Sequence, residues 1–237
     1  MGLKLFIPCF LDQCAPQVAS AVAGLLARLG VAGQYPEDQT CCGQFAWTAG
    51  DAATARRLMR HFLRVFAGPE TILCPSASCT YLVRHCYPQL AEGLKEQRAV
   101  AALASRVMEL GEWLAGRGPL PWTPRFEGPL VLHQSCKARQ LGVLSCARGV
   151  LSQVNGLKLL TISPYYTCCG FGGTFNLQHP GLSRDIGEAY LAAVEATGAT
   201  GLVSLDYSCL LHLQGLSVPA ARDLKFYHLA EILTMSG

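Results

Sequence analysis

Charge is scarce in this chain: Asp, Glu, Lys and Arg make up 15% of its 237 residues, against 51% hydrophobic ones. That balance excludes a disordered tail and describes a globular protein with a sizeable core. The formal charge of +3 is scattered, with no polybasic run and no nucleic-acid motif, so neither DNA nor RNA is an expected partner. No uninterrupted apolar stretch approaches the ~18 residues of a bilayer-spanning helix. The opening "MGLKLFIPCFLDQCAP" has one Lys and too short an apolar run for a signal peptide, so a cytoplasmic setting is expected. C-x-x-C is missing as well, which removes a thioredoxin-type redox pair, a zinc knuckle and a ferredoxin run. "CCGFGGTF" is glycine-rich but is neither G-x-G-x-x-G nor a P-loop, and no Ser-His-Asp or paired-carboxylate pattern supports hydrolysis.

Cysteine, by contrast, is abundant, with 12 residues. In a reducing compartment thiolates are more often metal ligands or redox groups than structural bridges. Their spacing repeats. "TCCGQF" at Thr40–Phe45 returns as "TCCGFG" at Thr167–Gly172, and in both halves 31 residues separate an upstream cysteine, Cys9 or Cys136, from the CC pair. Downstream, Cys79 and Cys209 follow the CCG glycines after 35 and 38 residues. Each half therefore carries one lone cysteine, an adjacent pair with glycine, and a closing cysteine, the signature of two modules of one geometry.

The local patterns agree with a duplication. "LKLFIP" and "PLVLH" are apolar runs of strand length that deliver Cys9 and Cys136 at or just past their ends, and "TILCPS" and "GLVSLD" do the same for Cys79 and Cys209. Helical periodicity fills "PQVASAVAGLLARLG", then "DAATARRLMRHFLRVFAG" with Asp51 as N-cap and Gly68 as stop, then "LSRDIGEAYLAAVEATGA" in the second half. Leu94 to Ala115 is expected to form one further helix of the first module. Strands alternating with helices predict an α/β fold with two tandem pseudo-symmetric modules, each a small, mostly parallel sheet flanked by helices. Ligands of such sheets gather at strand C-terminal ends, where the cysteines fall. Pro- and Gly-rich "GRGPLPWTPRFEGP" breaks both periodicities, so the first module is expected at 1–118, the linker at 119–128 and the second module at 129–237.

Four thiolates drawn together in each half suit a tetrahedral zinc ion or an iron–sulfur cluster. The candidate ligands are Cys9, Cys41, Cys42 and Cys79, then Cys136, Cys168, Cys169 and Cys209. Adjacent cysteines have Cα atoms only about 3.8 Å apart and diverging side chains, which suits a cluster several ångströms wide better than a single ion. The glycine after each pair lets backbone N–H groups approach an anionic group closely. Iron–sulfur is the favoured reading, with a zinc-stabilised scaffold as the alternative.

"CFLDQ…P", "PEDQTCCGQ", "CPSASC", "CCGFGGTFNLQHP", "DYSCLLHLQG" and "FYHLAEIL" together resemble the landmarks of the cysteine-rich CCG-domain iron–sulfur oxidoreductases, over about Leu5 to Leu233. Among these the lactate-utilization subunits are the most similar. More distant relatives are the CCG-containing chain of heterodisulfide reductase and the iron–sulfur subunits of glycolate oxidase and anaerobic glycerol-3-phosphate dehydrogenase. The resemblance implies oxidation of L-lactate to pyruvate by a complex in which this subunit works beside two others. It also implies [4Fe-4S]-type clusters, up to one per module, as electron-transfer cofactors. A thiol-disulfide reductase site is the runner-up. In the heterodisulfide reductase chain each motif closes with C-x-x-C, and five cysteines hold a non-cubane cluster. Here Ser76 and Asp206 stand where the first cysteine of that ending would lie, leaving four thiolates per module with cubane and non-cubane forms both open. Gln134 and Lys137 stand where relatives commonly carry an acidic residue and a histidine.

Cys14, Cys74, Cys86 and Cys146 have no counterpart in the other half and are expected as buried small hydrophobes, with Cys74 a spare ligand or resolving thiol by position. His133 and His212, each three residues from a candidate ligand, are either structural or donors to a cluster sulfur. Asp12 is expected to cap a helix. No residue is assigned as the base that would take a proton or hydride from a 2-hydroxy acid, so substrate carbon chemistry is left to a partner.

Overall fold

The computed structural model describes residues 2–163, 165 and 168–235. Two four-stranded sheets, every pairing parallel, are built from consecutive halves of the chain.

In the first half β1 (Leu3–Leu5) leads through α1 (Cys9–Cys14) and α2 (Pro16–Arg28) to β2 (Gly33–Gln34). The CCG loop, α3 (Gln44–Thr48) and α4 (Ala52–Val65) then precede β3 (Thr71–Cys74). Next come α5 (Ala77–Tyr81), a π-helical turn at Leu82–Cys86, α6 (Tyr87–Leu90), α7 (Gln97–Ala104), β4 (Val107–Glu109) and α8 (Leu110–Ala115). The second half runs β5 (Arg125–Leu132), α9 (Cys136–Leu141), α10 (Leu144–Leu151), β6 (Asn155–Leu160), α11 (Phe175–Gln178), α12 (Pro180–Glu195), β7 (Gly201–Ser204), α13 (Tyr207–Ser217), β8 (Lys225–His228) and α14 (Leu229–Thr234).

The sheets share one order, β2-β1-β3-β4 and β6-β5-β7-β8, and one register. Leu3 pairs with Thr71 and Leu5 with Leu73, as Leu130 pairs with Gly201 and Leu132 with Val203. The module architecture expected from the repeat is present. The single helix expected over Leu94 to Ala115 is instead α7, β4 and α8. Val107–Glu109 is drawn into the sheet because its backbone pairs with Ile72–Cys74, and that tertiary pairing overrides a local helical pattern. β5 begins at Arg125, inside the segment punctuated by Pro and Gly, with a register shift between Arg125 and Gly128.

Alternation along the strands sorts side chains onto two faces. Leu3, Leu5, Leu73, Leu130, Leu132 and Val203 point into a core common to both modules, closed by α2, α8, α10 and α14. Phe6, Ile72 and Cys74 point the other way, onto α4 and α7, while Val131 and Leu202 point onto α12 and α13. The helices of the common layer pair α2 with α14 and α8 with α10, two related contacts across one pseudo-twofold. Val18, Val22 and Leu25 of α2 are fully buried there, so the amphipathic face legible in the sequence is also the face that joins the modules.

At the centre of that contact lies a polar knot. Asp206, 1% exposed, accepts Ser76 Oγ–H (3.0 Å) and Ser78 N–H (2.7 Å) from the first module and Ser135 Oγ–H (2.5 Å) from its own. Ser76 in turn accepts Cys79 N–H as the N-cap of α5, Ser135 accepts Ala138 N–H as the N-cap of α9, and Asp206 itself stands at the N-cap position of α13. Three cysteine-bearing helices thus start from one carboxyl group. Replacing Asp206 with Ala takes the acceptor from two buried hydroxyls and one part-buried N–H, at ~1–3 kcal/mol for each buried donor. We expect Asp206→Ala to lower unfolding free energy by about 3 kcal/mol or more in urea denaturation; a loss within ~0.5 kcal/mol, as at an ordinary surface position, would contradict the role.

Candidate metal centres

In both sheets the chain reverses its winding direction between the two central strands, β1 and β3 or β5 and β7, and the crevice beyond their C-terminal ends is the natural ligand position. Cys9 opens α1 after β1, and Cys79 lies in α5 after β3. Cys136 opens α9 and Cys209 lies in α13 at the corresponding places. The CCG loops follow β2 and β6 and reach the same crevices.

The first-module sulfurs form an arc. Cys9 Sγ lies 3.6 Å from Cys41 Sγ, Cys41 contacts Cys42, Cys42 Sγ lies 3.3 Å from Cys79 Sγ, and Cys79 contacts Cys74. Gly43 makes the arc possible: at φ +94° it turns the backbone so that its N–H donates to Cys41 Sγ at 3.3 Å. Gln39 anchors the loop, accepting Ile7 N–H and donating to Leu5 O at the end of β1, and Tyr87 Oη–H donates to Cys42 O at 2.7 Å. Hydrogen bonds from Cys42 and Cys9 hold the Cys41 thiol down to about 3, and those from Cys42 and Cys74 hold Cys79 down to about 5. Cys9 and Cys42 are pushed up by the same bonds, and Cys74 by burial. The arc thus favours thiolate on two sulfurs, the form that binds metal.

The second module repeats the plan with a more open face. Gly170, at φ +89°, donates its N–H to Cys168 Sγ at 3.4 Å, and Ser183 Oγ–H fixes Gly170 O. Cys169 contacts both Cys168 and Cys209. Cys136 and Cys168 are exposed, whereas Cys9 and Cys41 are half-buried. The hydrogen bond to Cys169 pushes Cys168 up, and partial desolvation of its sulfur pushes the Cys136 thiol up although the residue is exposed at the surface. Thr167 of the repeated "TCCG" lies outside the described residues.

The donor set fits an extended thiolate-bound group. A tetrahedral zinc with Zn–S bonds of about 2.3 Å requires its sulfurs about 3.8 Å apart on every edge. Among the described residues, three ligand atoms all within 4.8 Å of one another occur at His133, Cys169 and Cys209, but at no trio of the first-module arc. The first-module sulfurs form a chain of neighbours, without a compact trio.

Several neighbours escaped the sequence reading. Phe10, Phe45 and Phe171 form an aromatic cluster, Phe10 stacking on Phe45 at 5.8 Å and meeting Phe171 edge-on at 5.6 Å. Each directly follows a cysteine or lies just after a CCG glycine, the signal that could have found them. Phe171, Gly173 and Tyr207 of the second module close the cavity bordered by Cys9, Cys41, Cys42 and Cys79. The positions of a fifth thiolate, Ser76 and Asp206, hydrogen-bond each other and hold the modules together. Cys74 is buried against Cys79, while Ser204 takes its register position in the second sheet. Cys86 is buried as expected, but Cys14 is exposed and Cys146 half-buried. Asp12 lies exposed in the first turn of α1, whose N-cap position is Pro8. His212 contacts Ser183 Oγ and the ring of Phe171.

The cysteine-rich domain model called CCG matches twice, at residues 3–84 and 130–214. The chain belongs to the cysteine-rich CCG-domain family. Each match spans a full set of candidate cysteines of one CCG module. Similar over nearly the whole chain are lactate utilization protein A 2 of Bacillus cereus (strain AH820), 34% identical over 237 residues with 98% of each chain covered, and lactate utilization protein A of Geobacillus sp. (strain WCH70), 32% identical over 236 residues with 98% of this chain and 99% of that one covered. A hypothetical protein from Helicobacter pylori has the same fold, with a TM-score of 0.67 at 12% identity; the alignment covers all of this chain, which spans 49% of that one.

The two CCG glycines differ in what surrounds them. A Cβ on Gly170 would sit 2.3 Å from Ser183 O, whereas one on Gly43 would first meet the flexible Leu58 side chain at 3.2 Å. Gly43→Ala should therefore cost about 1–2 kcal/mol, the left-handed penalty. Gly170→Ala should cost more and should lower metal retention in the second CCG module, read by thermal unfolding and metal analysis. Equal costs would contradict the close approach.

Proposed function

We propose that this chain is the iron–sulfur subunit of a multi-subunit oxidoreductase that oxidises L-lactate to pyruvate. Cys9, Cys41, Cys42 and Cys79 hold one centre, and Cys136, Cys168, Cys169 and Cys209 the other. The observation that carries this reading is the duplicated set of four cysteines at corresponding strand ends, with the first-module thiols strung in an arc. The substrate comes from the relatives' names. Bound at these thiolates, iron–sulfur clusters supply one-electron acceptance and release.

The chain's own residues place and insulate the centres. The Gly43 and Gly170 N–H groups offset thiolate charge, and Phe10, Phe45 and Phe171 keep water from the space between the modules. Exposed Cys136 and Cys168 leave one edge of the second centre open to a partner chain. We assign no base for lactate among the described residues beside the thiols and place the carbon chemistry on a partner within a cytoplasmic complex. Among the described residues no helix is long and apolar enough to cross a membrane.

A zinc-stabilised second module is the other reading, supported by the compact His133, Cys169 and Cys209 trio. The lactate reading is tested by adding L-lactate anaerobically to the complex assembled from this chain and its partner subunits. We expect the visible absorption to bleach, Cys42→Ser and Cys169→Ser each to lose one centre's EPR signal and lactate turnover, and the isolated chain not to turn over. Full-rate lactate oxidation by the isolated chain, or by the double Cys→Ser variant within the complex, would contradict it.

A further inference from the structure

The repeat is broken at one position beside the second centre. His133 occupies the place of Phe6: each follows its strand, and their N–H groups donate to Val203 O and Leu73 O, which correspond in register. Phe6 packs edge-on against Phe62 and Phe66 in an apolar layer. His133, 1% exposed, instead receives a tyrosine: Tyr190 Oη lies 2.7 Å from its Nδ1. Tyr190 is itself buried, and a buried hydroxyl hydrogen needs an acceptor. With His133 Nδ1 as that acceptor, the ring proton sits on Nε2. That Nε2 is buried and has no partner in the protein, while a ring nitrogen of His133 and the sulfurs of Cys169 and Cys209 all lie within 4.8 Å of one another.

An unpartnered buried N–H costs about 1–3 kcal/mol, and a metal-bound thiolate is an acceptor that would remove that cost. We propose that His133 Nε2–H donates a hydrogen bond to the Cys169–Cys209 thiolate pair, with Tyr190 setting the tautomer, so that the second centre is electronically distinct from the first. This rests on the reading that the second module holds an iron–sulfur cluster. A hydrogen bond to a ligand sulfur draws electron density from it and favours the more negative, reduced state. His133 therefore raises the potential of the second centre, and the first, with Phe6 in this place, lacks that contribution. His133 is a positioning and tuning residue and does not contact substrate.

The test is pulsed EPR and redox titration of the reduced full-length protein, with histidine labelled by nitrogen-15, in the wild type, His133→Phe and His133→Gln. Phe is the residue the first module accepts at this site, and Gln keeps an N–H donor. Expected are a weak histidine nitrogen coupling to one centre that disappears in both variants, and a downward shift of that centre's potential in His133→Phe, partly recovered in His133→Gln. The other centre should not move. A histidine coupling of direct-ligand strength would overturn the donor role, as would unchanged potentials in His133→Phe. A wild type showing no cluster signal would overturn the cofactor reading and this inference together, whereas two intact signals unaffected by His133→Phe would overturn this inference alone.

Discussion

Everything at the centre of the molecule hangs on one buried carboxyl group. Asp206 accepts from Ser76, Ser78 and Ser135, and the helices that begin at Ser76, Ser135 and Asp206 carry Cys79, Cys136 and Cys209. Two of those cysteines belong to the second site and one to the first. A shift of a few tenths of an ångström at Asp206 would be passed to both, because the interior around it is close-packed and each helix start is capped. The apolar part of the interface packs α2 on α14 and α8 on α10, and the polar knot fixes which residue faces which.

Duplication gave two centres of one plan, and substitution made them different. The first is half-buried, apolar at Phe6, and carries an extra thiol at Cys74. The second is open at Cys136 and Cys168, has Ser204 at the register position of Cys74, and sets His133 and Tyr190 against its buried sulfurs. Two redox groups with equal environments have no preferred direction of electron flow; burial, hydrogen bonding and exposure are the levers that create one. The aromatic contact among Phe10, Phe45 and Phe171 spans the gap between the modules, so the inequivalent centres are also neighbours.

Much of this was legible before any coordinates. Short apolar runs located the central strands β1, β3, β5 and β7, period-3.6 patterns located long helices, and Asp51 does cap α4 through Thr54 N–H. The repeated spacing drew the cysteines to corresponding strand ends. β4 was missed because three residues of strand between two helical patterns carry no periodic signal; only pairing with β3 reveals them. Asp206 was legible as a missing thiolate but not as a bridge, since its partners Ser76 and Ser135 lie 130 and 71 positions away in the sequence. His133 was ambiguous for a similar reason: its tautomer depends on Tyr190, 57 residues downstream.

The central claim is that both thiol sets bind iron with sulfide. Counting iron, zinc and acid-labile sulfide on the full-length chain purified without oxygen tests it most directly. The account predicts iron and sulfide in nearly equal amounts from two centres, with negligible zinc. One zinc per module with no sulfide would contradict it.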